Sequence, residues 1–173
     1  MKIVLFGYMG SGKSSVGKQL ASTLNYNCID LDSEIEKRED KTISEVFNEK
    51  GEIYFRNIEK EILQDLISSP EKLVIATGGG TPCYGDTTTF LSTQPNVITI
   101  YLQTSLEVLT TRLYSEKAHR PLIAHLQTEA VLKDFIRKHL FERSHYYTQA
   151  TFTVNTGEAG VQEIVAKIIV LLF

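Results

Sequence analysis

Gly7-Tyr8-Met9-Gly10-Ser11-Gly12-Lys13-Ser14 is the most informative stretch of this sequence. It fits G-x-x-x-x-G-K-[ST], a loop whose backbone amides cradle phosphate. The apolar run Ile3-Val4-Leu5-Phe6 before it reads as a strand buried on both faces. After it, Val16, Leu20 and Leu24 recur at four-residue spacing, the pattern of a helix. Glycines let the backbone turn tightly and approach phosphate oxygens. Successive N–H groups and the helix N-terminus then direct positive dipole at the anion. In that setting Lys13 reaches the β- and γ-phosphates and the Ser14 hydroxyl ligates Mg²⁺. A chance glycine-rich turn is the competing reading, and the strand–loop–helix context argues against it.

Working outward, strands and helices alternate to the end of the chain. Cys28-Ile29 is a short second strand with Asp30-Leu31-Asp32 at its C-terminal end, followed by a short exposed helix at Ser33–Glu39. A further helix starts at Lys41–Ile43 and ends over Asn48–Gly51. Glu52–Ser68 is amphipathic, with a stripe of Phe55, Ile58, Ile62 and Leu66, and Ser69-Pro70 breaks it. Leu73–Ala76 is a third strand that runs into Thr77-Gly78-Gly79-Gly80. Asn96–Leu102 is a fourth strand, and a helix on Leu106, Leu109 and Leu113 follows, capped by Thr104 or Ser105. Ser115–Pro121 is a charged loop. Thr128–Tyr147 is a long helix with Val131, Leu132, Phe135, Ile136 and Leu140 expected inward. Phe152–Val154 is a fifth strand, and Val161, Ile164, Val165, Ile168 and Leu172 mark a last helix. This alternation predicts βαβ units, a parallel sheet and helices on both faces.

The chain has 173 residues, enough for one domain (1–173) with a full core. Its net charge of −3 gives no general attraction to nucleic acid or membrane. No apolar stretch reaches the roughly 18 residues of a membrane span. Met1-Lys2 leads straight into the first strand, so no cleaved leader is expected. Cys28 and Cys83 lie far apart and outside any C-x-x-C, as expected of buried thiols in a reducing compartment. The four histidines show no metal-ligand spacing. A cytoplasmic protein is expected.

In open α/β sheets ligands bind at the carboxyl ends of the strands. Three polar or glycine-rich stretches lie there: the phosphate loop, Asp30–Asp32 and Gly78–Gly80. If Asp30 and Asp32 extend the strand, their carboxylates point to the same side. One can then help hold Mg²⁺ while the other orients an attacking hydroxyl. Asp32 could equally be an acidic cap of the next helix, but beside a phosphate loop the chemical reading is preferred. Arg56 can recognise a carboxylate in bidentate fashion, or merely pair with Glu59 at the surface. The three glycines cost folding entropy, which suggests close backbone approach to a ligand. Lys117, His119 and Arg120 suit a lid that brings an arginine to the transferring phosphoryl group. Tyr146-Tyr147 reads as packing.

Together these motifs resemble the shikimate kinase family along the whole chain. The resemblance is carried by G-Y-M-G-S-G-K-S at Gly7–Ser14, D-x-D at Asp30–Asp32, F-R-x-x-E at Phe55–Glu59, T-G-G-G at Thr77–Gly80, R-P-L at Arg120–Leu122 and E-R-x-x-Y-Y at Glu142–Tyr147. It implies a three-layer α/β/α P-loop kinase fold with a five-stranded parallel sheet in the order 2-3-1-4-5. It further implies a substrate-binding segment at about 31–60 and a lid at about 112–124. The implied reaction transfers the γ-phosphoryl group of ATP to the 3-hydroxyl of shikimate, in aromatic amino-acid biosynthesis, with Mg²⁺ as cofactor and a monomer as the working form. Carried over by position, ATP is bound by Gly10, Ser11, Gly12, Lys13, Ser14, Ser15, Arg112 and Arg120. Shikimate is bound by Asp32, Arg56, Gly78, Gly79, Gly80 and Arg143, with Phe47 and Phe55 lining its pocket. Asp32, Lys13 and Arg120 carry the catalysis, and the metal is held by Ser14 and, through water, Asp30. A gluconate or nucleoside-monophosphate kinase of related fold is the alternative; a GTPase-like switch lacks its N-K-x-D.

Overall fold

Residues 1–173 are described by a computed structural model. Five strands, β1 (Lys2–Phe6), β2 (Asn27–Asp30), β3 (Leu73–Ala76), β4 (Val97–Gln103) and β5 (Phe152–Asn155), form one sheet in the order β2-β3-β1-β4-β5. Every pairing is parallel, with Val4 opposite Ile75 on one side and Thr99 on the other. The expected strand order is therefore observed. Parallel pairing places all five carboxyl ends along one edge, and β1, which delivers the phosphate loop, sits at the centre.

Seven helices complete the layers: α1 (Lys13–Leu24), α2 (Leu31–Glu39), α3 (Ile43–Ser68), α4 (Thr87–Thr93), α5 (Leu106–Glu116), α6 (Glu129–Tyr147) and α7 (Val161–Leu172). Side chains alternate across the sheet. Ile3 and Leu5 of β1 point into one core with Val16, Leu20, Ile164 and Ile168 of α1 and α7. Val4 and Phe6 point into a larger core with Ile35, Phe55, Ile62, Leu113 and Ile136. Both faces are thus covered, which explains why β1 and β3 are apolar runs and not alternating patterns.

Four local features differ from expectation. The break in α3 narrows to Gly51, whose φ of 81° and ψ of 172° kink an otherwise continuous helix. Its start is secured by a reciprocal cap, in which the Thr42 hydroxyl accepts from the Glu45 amide and Glu45 accepts from the Thr42 amide. The helix after β2 starts at Leu31, and buries Leu31 and Ile35. Val131 is exposed, because the inward face of α6 is set by Leu132 and Ile136 one position round the helix. Within the segment expected as a lid, residues 112–116 are the end of α5, and Lys117–His119 form a short 3₁₀ turn. No helix is long and apolar enough to cross a membrane.

Candidate active site

The phosphate loop joins β1 to α1 with Gly10 at φ 80° and Gly12 at φ 93°, the left-handed region that glycine tolerates. Nothing lies within 4 Å of a side-chain carbon built on Gly12, so its backbone angle alone requires glycine there. The amides of Gly10, Gly12, Lys13, Ser14 and Ser15 donate to no acceptor in the chain, and α1 has no side-chain cap. Such donors take water or a ligand as partner; gathered at a helix N-terminus they form an anion cradle. Ser11 differs: its amide donates to the Tyr8 carbonyl at 3.1 Å, and its buried hydroxyl has no partner. Lys13 Nζ donates to the carbonyls of Gly7 at 2.8 Å and Tyr8 at 3.0 Å. Burial lowers the Lys13 pKa to about 8, against the pull of Asp32 and Asp30. A phosphate would reverse that shift.

Asp30 caps α2 by accepting from the Ser33 amide at 3.3 Å, and its Oδ2 accepts from the Ser14 hydroxyl at 2.6 Å. Asp32 lies in the first turn of α2, so the two carboxylates are not neighbours on an extended strand. They reach one cavity because the helix turns Asp32 back over the strand ends. Burial first, and then the carboxylates of Asp30 and Glu59, raise the Asp32 pKa from 3.8 to about 6, with Lys13 opposing.

The glycine turn after β3 lets side chains approach its backbone one after another. A carbon built on Gly78 would lie 3.1 Å from Asp32 Oδ1, and one on Gly79 3.7 Å from Arg143 Nη1. On Gly80 it would lie 2.7 Å from Arg56 Nη2. None of the three amides finds an acceptor in the chain, although Gly80 is buried. Glu59, 3% exposed, accepts from Arg56 Nη1 at 2.7 Å and from the Thr81 hydroxyl at 2.7 Å. The Arg56–Glu59 pair is therefore a buried brace and not the weak surface pair that helix spacing alone suggests. Tyr84 stacks under the Arg56 guanidinium at 4.0 Å, and Phe47 packs on Phe55 at 4.4 Å between ring centres.

A cavity of about 440 Å³ gathers Gly10 to Ser15, Asp30, Asp32, Gly78, Gly79, Arg112 and Arg120. Arg56 borders a neighbouring cavity of about 450 Å³ with Glu59, Thr81 and Tyr84, across the glycine turn from the first. Arg112 Nη1 donates to the Gly10 carbonyl at 3.1 Å, holding the loop from outside. Arg120 donates no side-chain hydrogen bond to the loop; it pairs with Glu116 at 2.6 Å. Sequence reasoning missed Glu116, Thr81 and the buried role of Glu59. It also read Tyr147 as packing only, whereas its hydroxyl donates to the Gly79 carbonyl at 2.6 Å. The Y-Y of the E-R-x-x-Y-Y segment was the available signal.

The arrangement combines a phosphate cradle, an oxygen pair suited to a hard cation, a carboxylate poised near neutrality, and two arginines on one glycine turn. Comparison with known proteins agrees with it. The family model described as shikimate kinase matches residues 9–172. A shikimate kinase of Flavobacterium johnsoniae is 42% identical over 171 residues, covering 99% of this chain and 98% of that protein. The crystal structure of shikimate kinase from Bacteroides thetaiotaomicron superposes with a TM-score of 0.90 at 37% identity, covering 99% of this chain and 98% of that one. The shikimate kinase from Acinetobacter baumannii, solved in complex with shikimate, superposes with a TM-score of 0.86 at 35% identity, covering 99% and 92%. By sequence along nearly its full length and by fold, this chain belongs to the shikimate kinase family.

Proposed function

We propose that the protein transfers the γ-phosphoryl group of ATP to the 3-hydroxyl of shikimate, giving shikimate 3-phosphate and ADP. The observation that carries this reading is one cleft lined by the unpaired amides of Gly10 and Gly12 to Ser15 together with Asp32, Gly78 and Gly79. The phosphates of ATP take those amides, and Lys13 leaves the loop carbonyls to meet them. Arg112 and the apolar wall of Ala159, Val161 and Ile164 border the same cavity and suit the adenine. Asp32 accepts the hydroxyl proton as the new oxygen–phosphorus bond forms and the bond to the β-phosphate oxygen breaks. Arg56 and Arg143 hold the shikimate carboxylate, with the Gly79 and Gly80 amides beside them. Arg120 exchanges Glu116 for the transferring phosphoryl group.

Ser14 Oγ and Asp30 Oδ2 offer two hard oxygens 2.6 Å apart, which fits Mg²⁺ held by Ser14 and, through water, Asp30. When bound, the ion neutralises charge on the β- and γ-phosphates. Donor loop, acceptor turn and lid all come from one chain, which supports a monomer as the working unit. The use of ATP supports a cytoplasmic setting.

Coupled ADP release with shikimate, gluconate and AMP as acceptors tests the reading. Turnover with shikimate exceeding the other two by orders of magnitude is expected; ADP release with gluconate or AMP but not shikimate would reassign the acceptor.

A further inference from the structure

The face of α6 carries His139, Arg143 and Tyr147 at four-residue spacing, so the three lie one above another. Arg143 already has a role in the reading above. The other two each hold a different loop. The Tyr147 hydroxyl donates to the Gly79 carbonyl at 2.6 Å, and His139 Nδ1 shares a hydrogen bond of 3.1 Å with the Tyr8 hydroxyl inside the phosphate loop. Both tyrosines are built into the interior, at 0% and 1% exposure. Tyr147 stacks on Tyr101 of β4 at 5.1 Å, His139 packs on Phe135 at 4.4 Å, and the Arg143 guanidinium lies 5.9 Å from the Tyr8 ring.

These contacts fix orientation as well as distance. In a trans peptide the carbonyl of one residue and the N–H of the next point in opposite directions. Holding the Gly79 carbonyl toward α6 therefore turns the Gly80 N–H away from it, and that amide has no acceptor in the chain. The Tyr8 carbonyl receives Lys13 Nζ and the Ser11 amide, so the backbone of Tyr8 belongs to the phosphate loop while its side chain belongs to α6.

We infer that α6 is a strut that spaces the acceptor site from the phosphate loop, with Tyr147 and the Tyr8–His139 pair as positioning residues for the carboxylate end of the acceptor. The inference rests on the acceptor proposed above. Without the Tyr147 hydroxyl the Gly79 carbonyl loses the bond that fixes the orientation of the Gly79–Gly80 peptide. Without the Tyr8 hydroxyl α6 loses its hydrogen bond to the loop, and Arg143 shifts with it. Both losses are felt by the acceptor and not by the nucleotide.

The test is steady-state kinetics of the full chain, varying ATP and shikimate separately, with thermal unfolding as the check on folding. Tyr147→Phe should raise the KM for shikimate about five- to tenfold, the equivalent of one net buried hydrogen bond. Its KM for ATP should stay within about twofold of wild type. Tyr8→Phe should do the same, although it lies in the phosphate loop. His139→Leu should match Tyr8→Phe and add little to it, since both remove one bond. His139→Gln, which keeps a hydrogen-bonding group, should restore most of the loss. Variants that melt like wild type yet leave the shikimate KM unchanged, or raise the ATP KM instead, overturn the strut. A wild-type protein that releases no ADP with shikimate overturns the acceptor reading, and this inference with it.

Discussion

Asp32, the proposed base, sets function against stability at the scale of one residue. Its folded pKa of about 6 lies above the ordinary 3.8, so the fold binds that proton more tightly than the unfolded chain does. Stability is therefore greatest at the acid side of this window and falls as pH rises through it, because the ionised carboxylate is costly where it sits. Asp32→Asn removes that cost. It should raise stability at pH 8 by roughly 1–2 kcal/mol, discounted for partial solvent access, and the melting temperature by about 2–8 °C. It should also lower kcat by roughly 10²–10⁴-fold. For the wild type, kcat/KM for shikimate should fall about tenfold per pH unit below about 6, as the base is protonated. A flat profile between pH 5 and 7 would place the titrating base elsewhere. The type and position of Asp32 were legible in D-x-D beside a phosphate loop. Its shifted pKa was not, because Glu59, one of the charges responsible, arrives from α3.

Among the elements, α5 and the turn after it carry the segment proposed as a lid. Arg120 is held by Glu116 four residues earlier, in the last turn of α5, and both border the cavity at the phosphate loop. Arg120→Ala should lower kcat by roughly 10²–10³-fold with a smaller change in KM for ATP, as expected of a group that meets charge in the transition state. Glu116→Gln removes the competing carboxylate and should lower the KM for ATP by about two- to threefold, the scale of an exposed ion pair. A higher KM would show that Glu116 serves the nucleotide directly. The R-P-L segment made Arg120 recognisable, but no spacing rule says which partner it takes. Helix α6 gives the complementary lesson. Its existence follows from periodicity, yet Val131 was placed inward because a stripe of five apolar positions does not reveal which flank the sheet covers.

For the whole molecule, any ligand that binds only the folded state stabilises it by mass action. ADP at about 100 times its Kd should add about 2.7 kcal/mol, or roughly 5–10 °C in melting temperature for a chain of this size. Lys13→Met should abolish most of that shift, measured by scanning calorimetry with and without ADP. A full shift in the variant would remove Lys13 from phosphate binding. What the sequence by itself determined is local chemistry: the glycine-rich turn at Gly10 to Ser15 that leaves amides free for an anion, the apolar runs of β1 and β3, and the alternation that forces a parallel sheet. These depend on neighbours within a few residues. Tertiary structure alone decided that Glu59 is buried under Arg56, that Asp32 titrates near 6, and that Tyr147 holds Gly79 across 68 positions. Desolvation and hydrogen-bond geometry belong to the surroundings of a group, and those surroundings come from segments that meet only when the sheet and its helices have assembled.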